Sequence, residues 1–275
     1  MGVAASLLAV AACGSGGSDE AQEQSGESGQ LSGSSLVSAG ELTYCSDISA
    51  PPLTYYNDKQ EAVGTEIELG DAIAQNLGLK PVWKNVAFAG IIPALQGGQC
   101  DAIMSQLYIK EERKELVNFV PYMYAGNTVL VPSGNPEGFT DIDDLCGRKV
   151  AAQTGTTVVS VLQEKSSKCE EDGEESIEIA QFGRDSEAQQ QLKLQLVDAY
   201  GTTVEIAGYA IKQQPGAFET IGEPFNKIET GIATLKDNKP LHEALTDGFQ
   251  QVREDGTYDE ILERWELTAD ALPTS

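Results

Sequence analysis

The sequence predicts an α/β protein of two lobes, each a mostly parallel sheet flanked by helices, with the chain crossing between the lobes twice. Three observations predict it. From Leu42 short apolar runs alternate with helix-period patterns, the order that βαβ units take around a parallel sheet. The second half then repeats the first: the stretch from Ala94-Leu95 to Asp101-Ala102 and the stretch from Gln191-Leu192 to Asp198-Ala199 both run from a helix into a strand that opens Asp-Ala. A helical tail follows the second set, and its return to the first lobe supplies the second crossing.

Taken in order, 42–46 reads as a strand and 66–77 as a helix stopped by Gly78. A strand follows over 80–86, a helix over 89–96 ended by Gly97-Gly98, and a strand over 102–105. Another helix begins near Lys110, and 127–132 reads as a strand entering a turn. The second set has a strand over 149–153, a helix over 156–165, the acidic segment 170–175 as a solvated loop, a strand over 177–182, a helix over 186–194 and a strand over 197–200. The tail is helical over 241–254, turns at Asp255-Gly256 and ends in a helix reaching Trp265. The expected division is a first lobe over 36–127, a second over 128–228 and a return to the first over 229–275. Crossings near 125–130 and 225–230 form a hinge, and a hinge between lobes makes a closable cleft.

Ahead of this lies a different kind of chain. The apolar run from Val3 to Ala12 is too short to span a bilayer and ends in small residues, as the core of a secretion signal does, so 1–13 is expected to be a signal segment. Val10-Ala11-Ala12-Cys13 resembles the bacterial lipobox, in which the cysteine is diacylated, and two acyl chains meet the requirement for stable anchoring. The signal's basic start is missing, which predicts that the natural gene product begins further upstream. Residues 14–35 hold seven Ser, six Gly and four acidic residues, the composition of a flexible tether with a reach of about 26 Å. The expected location is therefore outside the cytoplasmic membrane, tethered to its outer face.

Charge and cysteines agree with export. The formal net charge of −25 argues against nucleic acid and anionic lipid as partners, since both need a basic footprint. With Cys13 lipidated, Cys45, Cys100, Cys146 and Cys169 remain, an even set in an oxidising compartment. Three pairings are open, with free buried thiols as the alternative. Cys45 with Cys100 is favoured because both flank strands of the first half, and Cys146 with Cys169 because they bracket one βα segment.

Catalytic signals are sparse. The single histidine, His242, falls on a helix face expected to be exposed, which leaves no material for a histidine-based triad or a histidine-rich metal site. There is no Gly-x-Ser-x-Gly, no phosphate loop and no Gly-x-Gly-x-x-Gly between strand and helix. No cofactor, metal or catalytic residue is expected, and binding is the default function.

One segment carries more. Asp101-Ala102-Ile103-Met104-Ser105-Gln106-Leu107-Tyr108-Ile109-Lys110-Glu111-Glu112-Arg113, followed by Asn118-Phe119 and Pro121-Tyr122, resembles the polar amino-acid family, family 3, of extracellular ABC-transporter solute-binding proteins. That family has an Asp-Ala-Ile strand, a Ser/Thr-Ile-Thr-x-x-Arg turn and a Phe-x-x-Pro-Tyr. The resemblance continues through 47–53, 64–69, Ile91-Ile92-Pro93-Ala94-Leu95, Gly155-Thr156-Thr157 and Asp255-Gly256-Thr257-Tyr258 to Trp265, covering nearly everything after residue 40. It implies the two-lobed periplasmic-binding-protein fold, a monomer, a small amino acid or related carboxylate as ligand, and an ABC permease as partner.

The resemblance also assigns roles. Arg113 would hold the ligand carboxylate with its planar fork of donors, while Thr154, Thr156 and Thr157 present the second lobe's turn to it. On the residues alone, the lesser alternative for Arg113 is a surface partner of neighbouring acids, while Phe88 is equally a staple of its helix. By resemblance Phe88 covers the ligand, Asp47 and Ala50 sit in the facing loop, and Ser105 and Gln106 end a strand at the cleft. Three departures matter: Tyr108 replaces a small hydroxyl residue, Ala50 an aromatic, and Thr203 the Asp that pairs with the ligand ammonium. Either another acid such as Glu66 or Glu205 reaches the cleft, or the ligand lacks a free ammonium. Two other functions stay open: a cyclohexadienyl dehydratase-like enzyme on this fold with Glu66 or Asp47 as acid, and a ligand-sensing receptor.

Overall fold

In a computed structural model the described residues are 35–273, so Cys13 and nearly all of the tether lie outside them. The first half contributes β1 (Glu41–Ser46), a small hairpin of β2 (Tyr55–Tyr56) and β3 (Ala62–Val63), α1 (Thr65–Asn76), β4 (Lys80–Asn85), α2 (Ile91–Gln96), β5 (Ala102–Ile103) and the single turn α3 (Glu111–Lys114). Then comes β6 (Val117–Pro132), a strand of 16 residues. The second half adds β7 (Lys149–Gln153), α4 (Thr157–Glu171), β8 (Glu178–Phe182), α5 (Asp185–Lys193), β9 (Ala199–Thr203) and α6 (Val204–Gln213). The 18-residue β10 (Phe218–Leu235), α7 (Lys239–Glu254) and α8 (Thr257–Arg264) follow.

Apart from the β2–β3 hairpin, the described strands form one sheet in the order β4-β1-β5-β10-β6-β9-β7-β8. Within it β1 runs parallel to β4 and β5, and β7 parallel to β8 and β9. The two parallel groups are joined rather than separate, because β6 and β10 pair antiparallel along most of their length and reach both. Register shifts at Ile221/Phe225, Phe225/Ile228 and Thr230/Gly231 interrupt that ribbon, and such bulges let a paired ribbon bend.

Most of the differences from the sequence reading lie in this ribbon. A strand over 127–132 is expected, but it begins at Val117; β10 and α6 are not expected at all. Pro121 and Gly126 in β6, and Gly222 and Pro224 in β10, break the strand pattern, and pairing with a long partner overrides it. The helix expected to end near 165 continues to Glu171, so the acidic segment begins as helix. The helix over 89–96 opens as a 3₁₀ turn, Phe88–Gly90.

The tail packs on the first half: Leu241, Leu245, Phe249 and Val252 of α7 share a core with Leu42, Tyr44, Leu69 and Ile73. His242 on α7 is half-buried, not exposed, with Nδ1 3.5 Å from Thr234 Oγ1 and away from the cleft. A second core gathers Val129, Val150, Val159, Leu162 and Ala199. Each lobe holds one disulfide: Cys45–Cys100 ties β1 to the approach of β5, and Cys146–Cys169 ties the approach of β7 to α4. Among the described residues no helix is long and apolar enough to cross a membrane.

Candidate functional site

In parallel sheets the carboxyl ends of the strands open into loops and helix N-termini, and ligands bind there. Both lobes point those ends into one cavity of ≈ 50 Å³. From the first lobe come Asp47 after β1, Glu66 in the first turn of α1, Phe88, then Ser105, Gln106, Tyr108 and Arg113 after β5. Gly64 sets the start of α1: a Cβ there would lie 2.1 Å from the Leu53 carbonyl oxygen, so only glycine lets the helix begin this close to the 47–53 loop. From the second lobe come Gln153 at the end of β7, Thr156 and Thr157 at the start of α4, Asp185 at the start of α5, and Gly201, Thr202 and Thr203 of β9.

The structure thus brings together Asp47, Ala50, Glu66, Phe88, Ser105, Gln106, Tyr108, Arg113, Thr156, Thr157 and Thr203. Thr154 does not line the cavity; its N–H donates to the Phe182 carbonyl (2.9 Å), extending the β7–β8 pairing. The sequence reading omitted Asn127, Gln153, Asp185 and Thr202. No local signal singles out Asp185, since an acid in the first turn of a helix is ordinary there.

Arg113 is half-buried beside the Phe88 ring, 5.7 Å from its centre. It donates to the Tyr108 carbonyl (3.1 Å) and, across the cleft, to the Gly155 carbonyl (3.4 Å), and it has no ion-pair partner among the described residues. Burial lowers its pKa, and the nearby charge of Glu112 offsets this only in part. The first turn of α4, whose leading N–H groups have no partners inside the helix, also faces this cavity.

The acids are more deeply set. Glu66 Oε1 accepts from the Gln106 N–H (2.6 Å) and from the Tyr122 hydroxyl, yet burial pushes its pKa up to about 7, with Glu205 adding to the rise. Asp185 accepts from the Tyr200 hydroxyl and is also raised to about 7, by burial first and then by Asp47, against the lowering effect of Tyr200 and Thr202. Glu205 does not line the cavity but reaches it indirectly. It accepts from Gln106 Nε2 (2.8 Å) and the Gly126 N–H (3.4 Å), and burial together with Asp270 takes it to about 7.

Polar contacts span the cleft. Arg184 pairs with Asp47 (2.9 Å), whose side chain is 2% exposed, and donates to Asn85 Oδ1 (2.6 Å). Gln153 Nε2 donates to the other oxygen of Asp47 (2.5 Å), and the Asp185 N–H to Ser49 Oγ (3.1 Å). Tyr108 donates to Asn127 Oδ1 (2.9 Å). Of the seven buried polar side-chain atoms left without a hydrogen bond among the described residues, five belong to residues lining this cavity: Glu66 Oε2, Asn127 Nδ2, Asp185 Oδ2, Thr202 Oγ1 and Thr203 Oγ1. Buried polar atoms are normally paired, so this concentration marks where a polar molecule fits.

Two α/β lobes joined by a paired ribbon and closing on a polar cavity define a periplasmic-type solute-binding protein. The chain belongs to the bacterial extracellular solute-binding proteins, family 3, whose model matches residues 42–268. It is 27% identical over 209 residues to the L-cystine-binding protein TcyJ of Escherichia coli (strain K12), covering 76% of each chain. Among solved structures it is similar to an ancestral arginine-binding protein bound to arginine, with 36% identity and a TM-score of 0.76 over 82% of this chain and 98% of that one. It is also similar to AncCDT-1, an ancestral amino acid-binding protein that is a precursor of cyclohexadienyl dehydratase, with 32% identity and a TM-score of 0.74 over 82% and 95%.

Proposed function

We propose that the protein binds a small amino acid or related carboxylate in the cleft between its lobes and delivers it to an ABC permease, as a monomer held to the outer face of the membrane by lipidated Cys13. The lobes in this reading are 36–127, 128–228 and the returning 229–275. The observation that carries it is the convergence on one cavity of five buried polar atoms without a hydrogen bond and an Arg113 without an ion-pair partner among the described residues. Arg113 takes the ligand carboxylate and the first turn of α4 meets it from the second lobe, so ligand and both lobes are in contact only when the cleft is shut. The ligands after which the relatives are named, cystine, arginine and amino acids generally, support that class. The protein acts without catalysis; the buried acids serve as ligand contacts rather than as general acids.

The test is calorimetric titration of the full chain with the common amino acids, then of Arg113→Ala. One amino acid is expected to bind stoichiometrically and be recovered unchanged. Removing one member of a buried charge pair costs roughly 2 to 5 kcal/mol, so the variant loses affinity by about 30-fold or more. Turnover of the ligand, or undiminished binding by Arg113→Ala, overturns the reading.

A further inference from the structure

We infer that the cleft selects an amino acid whose side chain carries a second positive charge, with Glu66 and Asp185 each offering one unpaired carboxylate oxygen to one of the ligand's two cationic groups. This deepens the amino-acid reading above and rests on it. The two acids are 1% and 4% exposed, and both line the cavity. They face it from opposite lobes, Glu66 from the start of α1 and Asp185 from the start of α5.

Charge decides the class. Three carboxylates line the cavity: Asp47, Glu66 and Asp185. Asp47 is matched by Arg184 across the cleft, and Arg113 awaits the ligand's own carboxylate. A zwitterion without a charged side chain brings one ammonium, which satisfies one acid and leaves the other buried with no counter-charge. A buried carboxylate in that position is costly and tends to take up a proton instead. A ligand with one net positive charge matches both acids. The walls suit an aliphatic stem between two cations, since Ala50, Leu53, Phe88 and Ile206 supply apolar surface in the same cavity.

Titration gives a second, independent readout. The groups facing Glu66 are Tyr122, Glu205 and Gln106, and those facing Asp185 are Tyr200, Asp47, Thr202 and the neighbouring Arg184. With both carboxyls raised to about 7, a cationic ligand displaces protons on binding.

The experiment titrates the full chain with arginine, lysine and ornithine, and with citrulline as the uncharged counterpart of arginine. Calorimetry is run at pH 6.5 in buffers of different ionisation enthalpy. At least one cationic amino acid is expected to bind ten times or more tighter than citrulline and to release protons. Of Asp185→Asn and Glu66→Gln, the one that removes the side-chain cation's partner is expected to collapse that ratio towards one, and the one that removes the α-ammonium's partner to weaken the cationic amino acid and citrulline alike, by ten times or more. The wild-type proton release stands even if a variant folds poorly. Citrulline or glutamine binding as tightly as the cations, or binding with no proton release, overturns the inference. If a neutral amino acid still binds and Arg113→Ala abolishes it, the amino-acid reading survives without this refinement. If no amino acid binds, both fall.

Discussion

Glu66, Asp185 and Glu205 share one predicament: hydrogen bonds to each favour the charged form, and burial outweighs them. Their carboxyls lie near 7 in the folded protein, above the usual range near 4 of an unfolded chain. The folded state therefore holds protons that the unfolded chain has released between about pH 4.5 and 7. The stabilising contribution is fully present below the unfolded value and is lost as pH rises to about 7, by roughly 1.4 kcal/mol per pH unit for each such group. The ligand-free protein is expected to melt at a lower temperature at pH 8 than at pH 5. Glu66→Gln should flatten that slope, and a thermal-unfolding series across this range checks both; an unchanged slope refutes the account. At this scale Arg113, Glu66 and Gln106 were legible in the sequence because they sit in motif positions. Asp185 was not, because an acid ahead of a helix reads as a capping residue, and nothing local reveals that its side chain turns to Tyr200 instead.

Among the elements, the βαβ units were legible because each carries its own period, as β1, α1 and β7 do. The ribbon of β6 and β10 was not, since its prolines and glycines are tolerated only by pairing between segments about 100 residues apart. The turn into α4 shows how an element end serves the cleft. Gly155 has φ of +84°, and a Cβ built on it would come within 3.0 Å of the Ala89 α-carbon in the other lobe. Gly155→Ala therefore adds left-handed strain of about 1 to 2 kcal/mol and also a wedge that acts only when the lobes meet. Gly134, with φ of +81° and open space around it, provides the control. Both alanine variants are expected to lower the melting temperature, but only Gly155→Ala should weaken ligand affinity, by about tenfold. Equal affinities for the two variants would remove the wedge from the account.

For the whole molecule, closure is a balance between two lobes that meet through a few charged contacts. Both disulfides lie within lobes, so neither holds the cleft shut, and the two joining strands are bulged where they cross. The Asp47–Arg184 pair is then the strongest ligand-independent tie, because Asp47 is almost fully buried and Gln153 also donates to it. Removing Arg184 leaves that carboxylate buried with its main counter-charge gone, a state that opening relieves by returning Asp47 to water. Arg184→Ala is accordingly expected to shift the ligand-free protein towards the open form. Small-angle scattering should record a larger radius of gyration for the ligand-free variant than for the ligand-free parent, with the two converging at saturating ligand. Affinity should fall by the ratio of closed populations, since a ligand that requires the closed state is weakened in proportion to its scarcity. A ligand-free radius unchanged by the substitution would show that the cleft is held by other contacts, chief among them Gln106 with Glu205, and would redirect the same experiment to Gln106→Ala.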